Sequence, residues 1–105
     1  MLMFQFEDIC NKYGLEVRRS KWDNEAECWY KNHLICNFSH FLAYMTKDLH
    51  LAGNEYDKFI CTDYEFTCYE IPEVFELKLQ EMLKKYKQLE TEIKVNFINK
   101  DFAND

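Results

Sequence analysis

The sequence predicts a single α+β domain, residues 1–105, in which a small antiparallel sheet of 4–5 strands is flanked by three helices. Three observations lead to this fold class. Apolar residues repeat at helical spacing near both ends of the chain, short alternating segments lie between them, and aromatic residues make up 17% of the composition. That aromatic content is enough for a compact core without help from a metal or a disulfide.

The first helix is predicted over residues 4–13. Apolar side chains at positions i, i+3, i+4 and i+7 form one helical face: Phe6, Ile9, Cys10 and Tyr13. Gly14 follows where a left-handed C-cap belongs, and this position ends the helix.

Short segments after this helix predict two or three antiparallel strands. Alternating apolar and charged residues predict a strand over 15–22, with a turn signal at 23–24. Residues 26–31 predict a second strand. Lys31-Asn32 could then turn the chain into a third short strand over 33–36, and such close spacing is typical of a meander.

A middle helix is predicted next, with Asn37 or Ser39 as its N-cap and Gly53 at its end. Its apolar residues recur at helical spacing: Phe38, Phe41, Leu42, Met45 and Leu49. Residues 58–70 are rich in β-branched and aromatic side chains, which predicts two strands or one bent strand, with a hairpin near 62–63 as an alternative.

The last helix begins near Pro72 and is predicted to run from Glu73 to Phe97, with a frayed tail over 99–105. Its apolar residues are spaced 4-3-4-3-4, as in a coiled coil or a long helix packed along a sheet: Phe75, Leu79, Met82, Tyr86, Leu89 and Ile93. The helix is longer than so small a domain needs. It could therefore dock a partner or a second copy.

The surplus negative charge lies in one 27-residue segment, Glu55–Glu81. This segment holds eight acids and two lysines, and so carries the whole formal net charge of −6. Such a field repels nucleic acid and attracts basic protein surfaces. The alternative interpretation is a solvated surface that keeps the domain soluble.

The acids of this segment would lie close together in the predicted elements. Asp63 and Glu65 would point to one side of a strand, about 6.7 Å apart. Glu73 and Glu76 would lie one helical turn apart, with Glu70 between the two groups. With tyrosines interleaved, this surface could imitate a nucleic-acid backbone and occupy a basic groove in another protein.

Cysteine and histidine offer weaker alternatives. Cys28, His33, Cys36 and His40 have the spacing C-x4-H-x2-C-x3-H, and zinc prefers these ligand types. No C-x2-C pair is present, and buried cysteine behaves as a small hydrophobe, so we predict neither a metal nor a cofactor. Cys36 and His40 could also form a thiol nucleophile pair. Two glycines 39 residues apart exclude the phosphate-binding loops, and the chain is predicted not to be an enzyme.

Basic residues are grouped at two places, Arg18-Arg19 with Lys21 beside Trp22, and 84–87. Direct binding of DNA or RNA normally requires a net basic domain, which argues against it here. An odd number of cysteines and the absence of a signal-like N-terminus predict reduced thiols in a cytoplasm. No apolar run approaches the 18 residues of a membrane span.

In size and charge the chain resembles the small acidic proteins by which phages and mobile elements block host defence, including anti-CRISPR inhibitors. The resemblance implies steric occupation of a basic channel in a nuclease effector. It implies the contact residues Asp63, Glu65, Glu70, Glu73 and Glu76, with Tyr64 and Tyr69 as aromatic anchors. The alternative function is a regulatory or assembly module that dimerises or docks through its long C-terminal helix.

Overall fold

The computed structural model describes residues 1–21, 24–55 and 57–103, with side chains described through residue 96. This part of the chain forms two helices and seven strands, with one helix before the strands and one after them. In chain order they are α1 Met3–Lys12, β1 Glu16–Arg19, β2 Glu25–Tyr30, β3 His33–Ser39, β4 Leu42–Thr46, β5 Leu49–Gly53, β6 Lys58–Thr62, β7 Phe66–Tyr69 and α2 Pro72–Ala103. The α+β class and the long C-terminal helix are confirmed.

Helix α1 confirms the predicted first helix. The side chain of Gln5 accepts the N–H of Leu2 at 2.9 Å and caps the N-terminus. Gly14 adopts φ +78°, and the N–H of Leu15 donates to the carbonyl of Cys10 at 3.0 Å. This closing hydrogen bond ends the helix and turns Leu15 into the core.

The strands form two antiparallel sheets. A five-stranded sheet has the order β1-β2-β3-β4-β7, and β5 pairs with β6 in a separate two-stranded sheet. Lys31 and Asn32 form the predicted turn between β2 and β3, with φ +46° and +68°. The turn predicted at 23–24 falls partly on Asp23, which, like Trp22, lies outside the described residues.

The predicted middle helix is wrong: the segment forms the end of β3, then β4 and β5. His40 and Phe41 have φ +51° and +67°, and two residues with positive φ make the tight turn that suits the twist of a hairpin. On either side of this turn, Phe38 and Met45 point into the core. Buried and partly exposed residues alternate along the end of β3 and the start of β4, and the two-residue turn shifts this alternation between the strands. The apolar residues of the combined segment therefore happen to recur at helical spacing.

Residues 58–70 form two strands, and these do not pair with each other. β6 pairs with β5 and β7 pairs with β4, so the hairpin alternative near 62–63 is wrong. The N–H of Asp63 donates to the carbonyl of Asp48 at 3.0 Å, and the hydroxyl of Thr46 donates to the carbonyl of Asp63. These bonds hold the point at which the chain passes from one sheet to the other.

Helix α2 packs its apolar seam on the rest of the domain. Phe75, Leu79, Tyr86 and Leu89 are buried, and the ring of Phe75 lies 5.5 Å from that of Phe6. The helix contacts α1, β5, β6 and β7, while α1 covers β1. Its 32 residues span about 48 Å, which accounts for most of the 56 Å length of the molecule. Neither helix, over the residues described, is long and apolar enough to cross a membrane.

Candidate functional site

The acidic segment supplies β7, one of the two outer strands of the five-stranded sheet, with β1 at the opposite edge. Among the described residues, β7 pairs with β4 and with no other strand. Thr67 and Cys68 are exposed, and Glu70 and Ile71 lead directly into α2. We refer to residues 64–77, which comprise β7, its two flanks and the start of α2, as the β7 edge.

Large apolar side chains are exposed along the β7 edge. Tyr64 is 99% exposed, Ile71 55% and Leu77 60%, while Val74 is 41% exposed. Three of these residues, Ile71, Val74 and Leu77, lie within seven positions of the chain, and grouped exposed apolar side chains on a small domain are typical of a contact surface for another molecule.

The apolar side chains of α2 lie on the side of the helix that borders β7. Tyr69 of β7, Lys78 and Glu81 line one cleft of about 250 Å³. Val74 and Leu77 precede Lys78 and Glu81 by four residues each, and residues four apart share one helical face. Val74 and Leu77 therefore continue this face by one turn towards the start of α2.

Glu70 and Glu73 are exposed carboxylates of the β7 edge. Among the side chains described, no cation lies within ion-pair distance of either one. Glu73 is in the first turn of α2, where the helix dipole favours a negative charge. These two carboxylates are thus available to a cation on another molecule.

Glu65 and Glu76 are already paired with lysines from other parts of the chain. Lys47 lies 3.1 Å from Glu65, and both side chains are well exposed. Lys12 lies 2.7 Å from Glu76, which also accepts the hydroxyl of Tyr13 at 2.8 Å. The hydrogen bond from Lys12 and then that from Tyr13 hold the pKa of Glu76 below its usual 4.5. Glu76, although it lies within the β7 edge, therefore joins α2 to α1.

Asp63 and Tyr69 have structural contacts. The carboxylate of Asp63 accepts the N–H of Glu65 at 3.2 Å and shapes the connection before β7. Tyr69 packs against the core, with its ring centroid 6.3 Å from that of Phe75. Of the seven residues expected to contact a partner, Glu65, Glu70, Glu73 and Tyr64 present exposed side chains at the β7 edge.

The cysteines and histidines do not converge as their spacing suggested. Cys28 and Cys36 face each other across β2 and β3, are fully buried, and contact Cys10. Burial raises the pKa of Cys36. His33 instead bonds the carbonyl of Ile60 at 2.8 Å. Within the described part of the chain, no group of three or more His, Cys, Asp or Glu side chains is arranged so that it could hold a metal ion.

The proposed nucleophile pair is also separated. Cys36 lies inside the sheet, whereas His40 is exposed in the turn between β3 and β4 and contacts Ser39 at 2.7 Å. Because residues 33–39 form a strand, positions 36 and 40 are not one helical turn apart. The arrangement predicted from the middle helix is lost with that helix.

The basic residues of β1 have acidic or aromatic partners. The guanidinium of Arg18 lies 4.5 Å from the ring of Trp29 and 3.0 Å from Glu16. Arg19 pairs with Glu7 at 2.5 Å. Trp22, which the sequence placed beside them, lies outside the described residues.

Sequence reasoning missed the apolar part of the β7 edge. Ile71, Val74 and Leu77 recur every three residues, beside the seam that begins at Phe75. This second apolar line was visible in the sequence. The sequence did not predict that these three side chains would be exposed, because their exposure depends on how far the sheet extends beside α2.

Comparison with known proteins gives no match to a protein family, to a characterised protein or to a solved structure.

Proposed function

We propose that this chain is a non-enzymatic, protein-binding inhibitor that acts through the β7 edge. Its partner would present a basic surface, and the resemblance to anti-CRISPR proteins suggests the nucleic-acid-binding groove of a defence nuclease. Occupation of that groove by carboxylates would exclude the phosphate backbone that it normally holds.

The proposal rests on Glu70 and Glu73. Both are exposed, and neither has a cation partner among the described side chains. A carboxylate with no intramolecular partner gives up no ion pair when it binds a lysine or arginine of another protein, whereas Glu76 would have to release Lys12.

The exposed apolar residues beside these acids favour a surface that binds a protein over an acidic surface that serves only solubility. Ile71 and Val74 stand next to Glu70 and Glu73 in the chain, and Tyr64 precedes β7 with its ring in solvent. A central apolar anchor with charged residues around it is typical of a protein interface.

The test is the inhibition of a panel of purified RNA-guided nuclease complexes, with DNA binding and cleavage measured in an excess of this chain. We expect at least one complex to lose DNA binding. The double variant Glu70→Lys/Glu73→Lys should weaken that inhibition by about tenfold or more, because it places like charges against the basic groove.

Glu92→Lys, compared with each of the single variants Glu70→Lys and Glu73→Lys, is the matched control for this experiment. Glu92 is exposed on the same helix, about 28 Å from Glu73 along its axis, so the variant alters net charge without altering the β7 edge. Equal inhibition by the unmodified chain and the double variant would refute the proposal, as would a panel in which no complex responds.

The alternative function, dimerisation or docking through the long helix α2, would have to use side chains of α2 other than those buried in the seam. Phe75, Leu79 and Leu89 are buried against this chain's own core. A substitution such as Leu89→Glu would therefore test folding instead of dimerisation, since it places a charge in that core.

A further inference from the structure

We propose that the β7 edge binds its partner by strand addition, and that the occupant is an extended segment in which basic and apolar residues alternate. This inference rests on the proposed function, since it specifies how the same surface is used.

The direction of the hydrogen bonds in β7 follows from one bond at its start. The N–H of Lys47 donates to the carbonyl of Glu65 at 2.8 Å, and Met45 is the Cα partner of Thr67. In an antiparallel ladder hydrogen-bonded pairs alternate with non-bonded pairs. Thr67 and Tyr69 therefore direct their backbone groups to β4.

The backbone N–H and C=O groups of Phe66 and Cys68 consequently point away from β4. That is the open side of the sheet, where no described strand lies. Two donors and two acceptors in a row, one residue apart, are the template for pairing with an extended chain.

An added strand would find apolar contacts on the side of the sheet that α2 covers. The cleft lined by Tyr69, Lys78 and Glu81 places one side of α2 beside β7, and Val74 and Leu77 lie one turn before Lys78 and Glu81. Alternate residues of the added strand would face this helix, and the residues between them would face solvent. Apolar side chains suit the first set of positions.

Charge selects a basic occupant. Glu70 directly follows β7, and Glu73 lies in the first turn of α2. Two copies of this chain paired through β7 would bring these acids close together, and like charges across a strand pair destabilise it. The same acids attract lysine or arginine side chains of a different segment.

The experiment uses a seven-residue peptide of alternating lysine and valine, with a glutamate–valine peptide as its control. Binding to the full chain is measured by calorimetry. The variant Cys68→Pro removes an outward N–H and leaves the ladder to β4 complete, whereas Cys68→Val keeps that N–H. We expect Cys68→Pro to weaken binding of the lysine–valine peptide about tenfold relative to Cys68→Val.

A second measurement does not depend on a substitution. Backbone amide hydrogen exchange of the unmodified chain should be fast at Phe66 and Cys68 and slow at Thr67 and Tyr69. Saturation with the lysine–valine peptide should slow exchange at Phe66 and Cys68. Unchanged exchange at both positions would overturn strand addition, even if Cys68→Pro failed to fold.

The outcomes separate this inference from the proposed function. Equal binding by Cys68→Pro and Cys68→Val overturns strand addition, and the Glu70→Lys/Glu73→Lys variant then reports on the acidic surface alone. Loss of binding in Cys68→Pro without loss in the double charge variant supports strand addition and refutes the role given to the acids. Equal binding of the two peptides, or dimers of this chain paired through β7, would overturn the basic occupant.

Discussion

Glu76 illustrates how a residue predicted to contact a partner serves the fold instead. Its carboxylate receives Lys12 at 2.7 Å and the hydroxyl of Tyr13 at 2.8 Å, both from the end of α1. The side chain of Gln80, one turn further along α2, also bonds the hydroxyl of Tyr13. The first helix is thus tied to α2 by a network that no spacing rule in the sequence reveals.

We predict that Glu76→Gln lowers stability at neutral pH but not in acid. The pKa of Glu76 lies below its usual 4.5 in the folded chain. A depressed pKa stabilises the fold above the unfolded value, and that stabilisation is lost as the pH falls through the folded value. The midpoints of urea unfolding should therefore differ at pH 7 and converge near about pH 3.

Glu92→Gln is the control for this measurement, because Glu92 is exposed and, among the described side chains, has no cation within ion-pair distance. Its urea midpoint should match that of the unmodified chain at both pH values. A difference between Glu76→Gln and the unmodified chain that persists in acid would contradict the role assigned to this ion pair.

At the scale of elements, the turn between β3 and β4 is the reason why the predicted middle helix is wrong. His40 and Phe41 both adopt positive φ, although neither is glycine or asparagine. Sequence signals for such turns rely on Asn-Gly or similar pairs, as the correct prediction at Lys31-Asn32 shows by contrast. Without that signal, the apolar residues on either side of the turn resembled a helical face.

We predict that Phe41→Gly is more stable than Phe41→Ala by about 1 kcal/mol. Phe41 has φ +67°, and glycine relieves the backbone strain that alanine keeps, because alanine retains the Cβ atom. Both variants lose the buried part of the phenylalanine ring, so the comparison between them isolates the strain. The free energy of unfolding in guanidinium chloride measures the difference, and equal stability of the two variants would show that backbone strain is not the cause.

At the scale of the whole molecule, folding reduces the number of acidic side chains in the segment that lack a cation partner. The net charge of −6 arises within Glu55–Glu81, but Lys12 and Lys47 come from outside this segment to meet Glu76 and Glu65. The carboxylates left without a cation partner among the described side chains include Glu70 and Glu73, beside the open edge of the sheet. A partner at the β7 edge would therefore meet the charge of Glu70 and Glu73, while Glu55 and Asp57 are exposed in the connection between β5 and β6.

We predict that salt slows the association of this chain with the lysine–valine peptide. Raising the salt from about 0.05 to about 0.5 M shortens the Debye length and should lower the association rate about tenfold, with a smaller change in the dissociation rate. Stopped-flow fluorescence measures both rates. The Glu70→Lys/Glu73→Lys variant should lose most of this salt dependence, and an unchanged dependence would argue against steering by these acids.

Local patterns in the sequence predicted what depends on neighbours along the chain. The stripe through Phe6 and Cys10 with Gly14 after it gave α1, and the series from Phe75 gave the buried face of α2. The alternation of apolar and polar residues predicted β1, β2 and β3. These predictions are correct because helix and strand periodicities are properties of consecutive residues.

The tertiary structure alone decided which strand forms an edge and which carboxylates lack a partner. β7 pairs with β4 across twenty or more residues, and Lys12 reaches Glu76 across more than sixty. Such contacts depend on the packing of the whole chain, since many pairings of short strands and many lysine–glutamate pairs are equally compatible with the local sequence. Composition set the sign and amount of charge, and folding set where that charge is available.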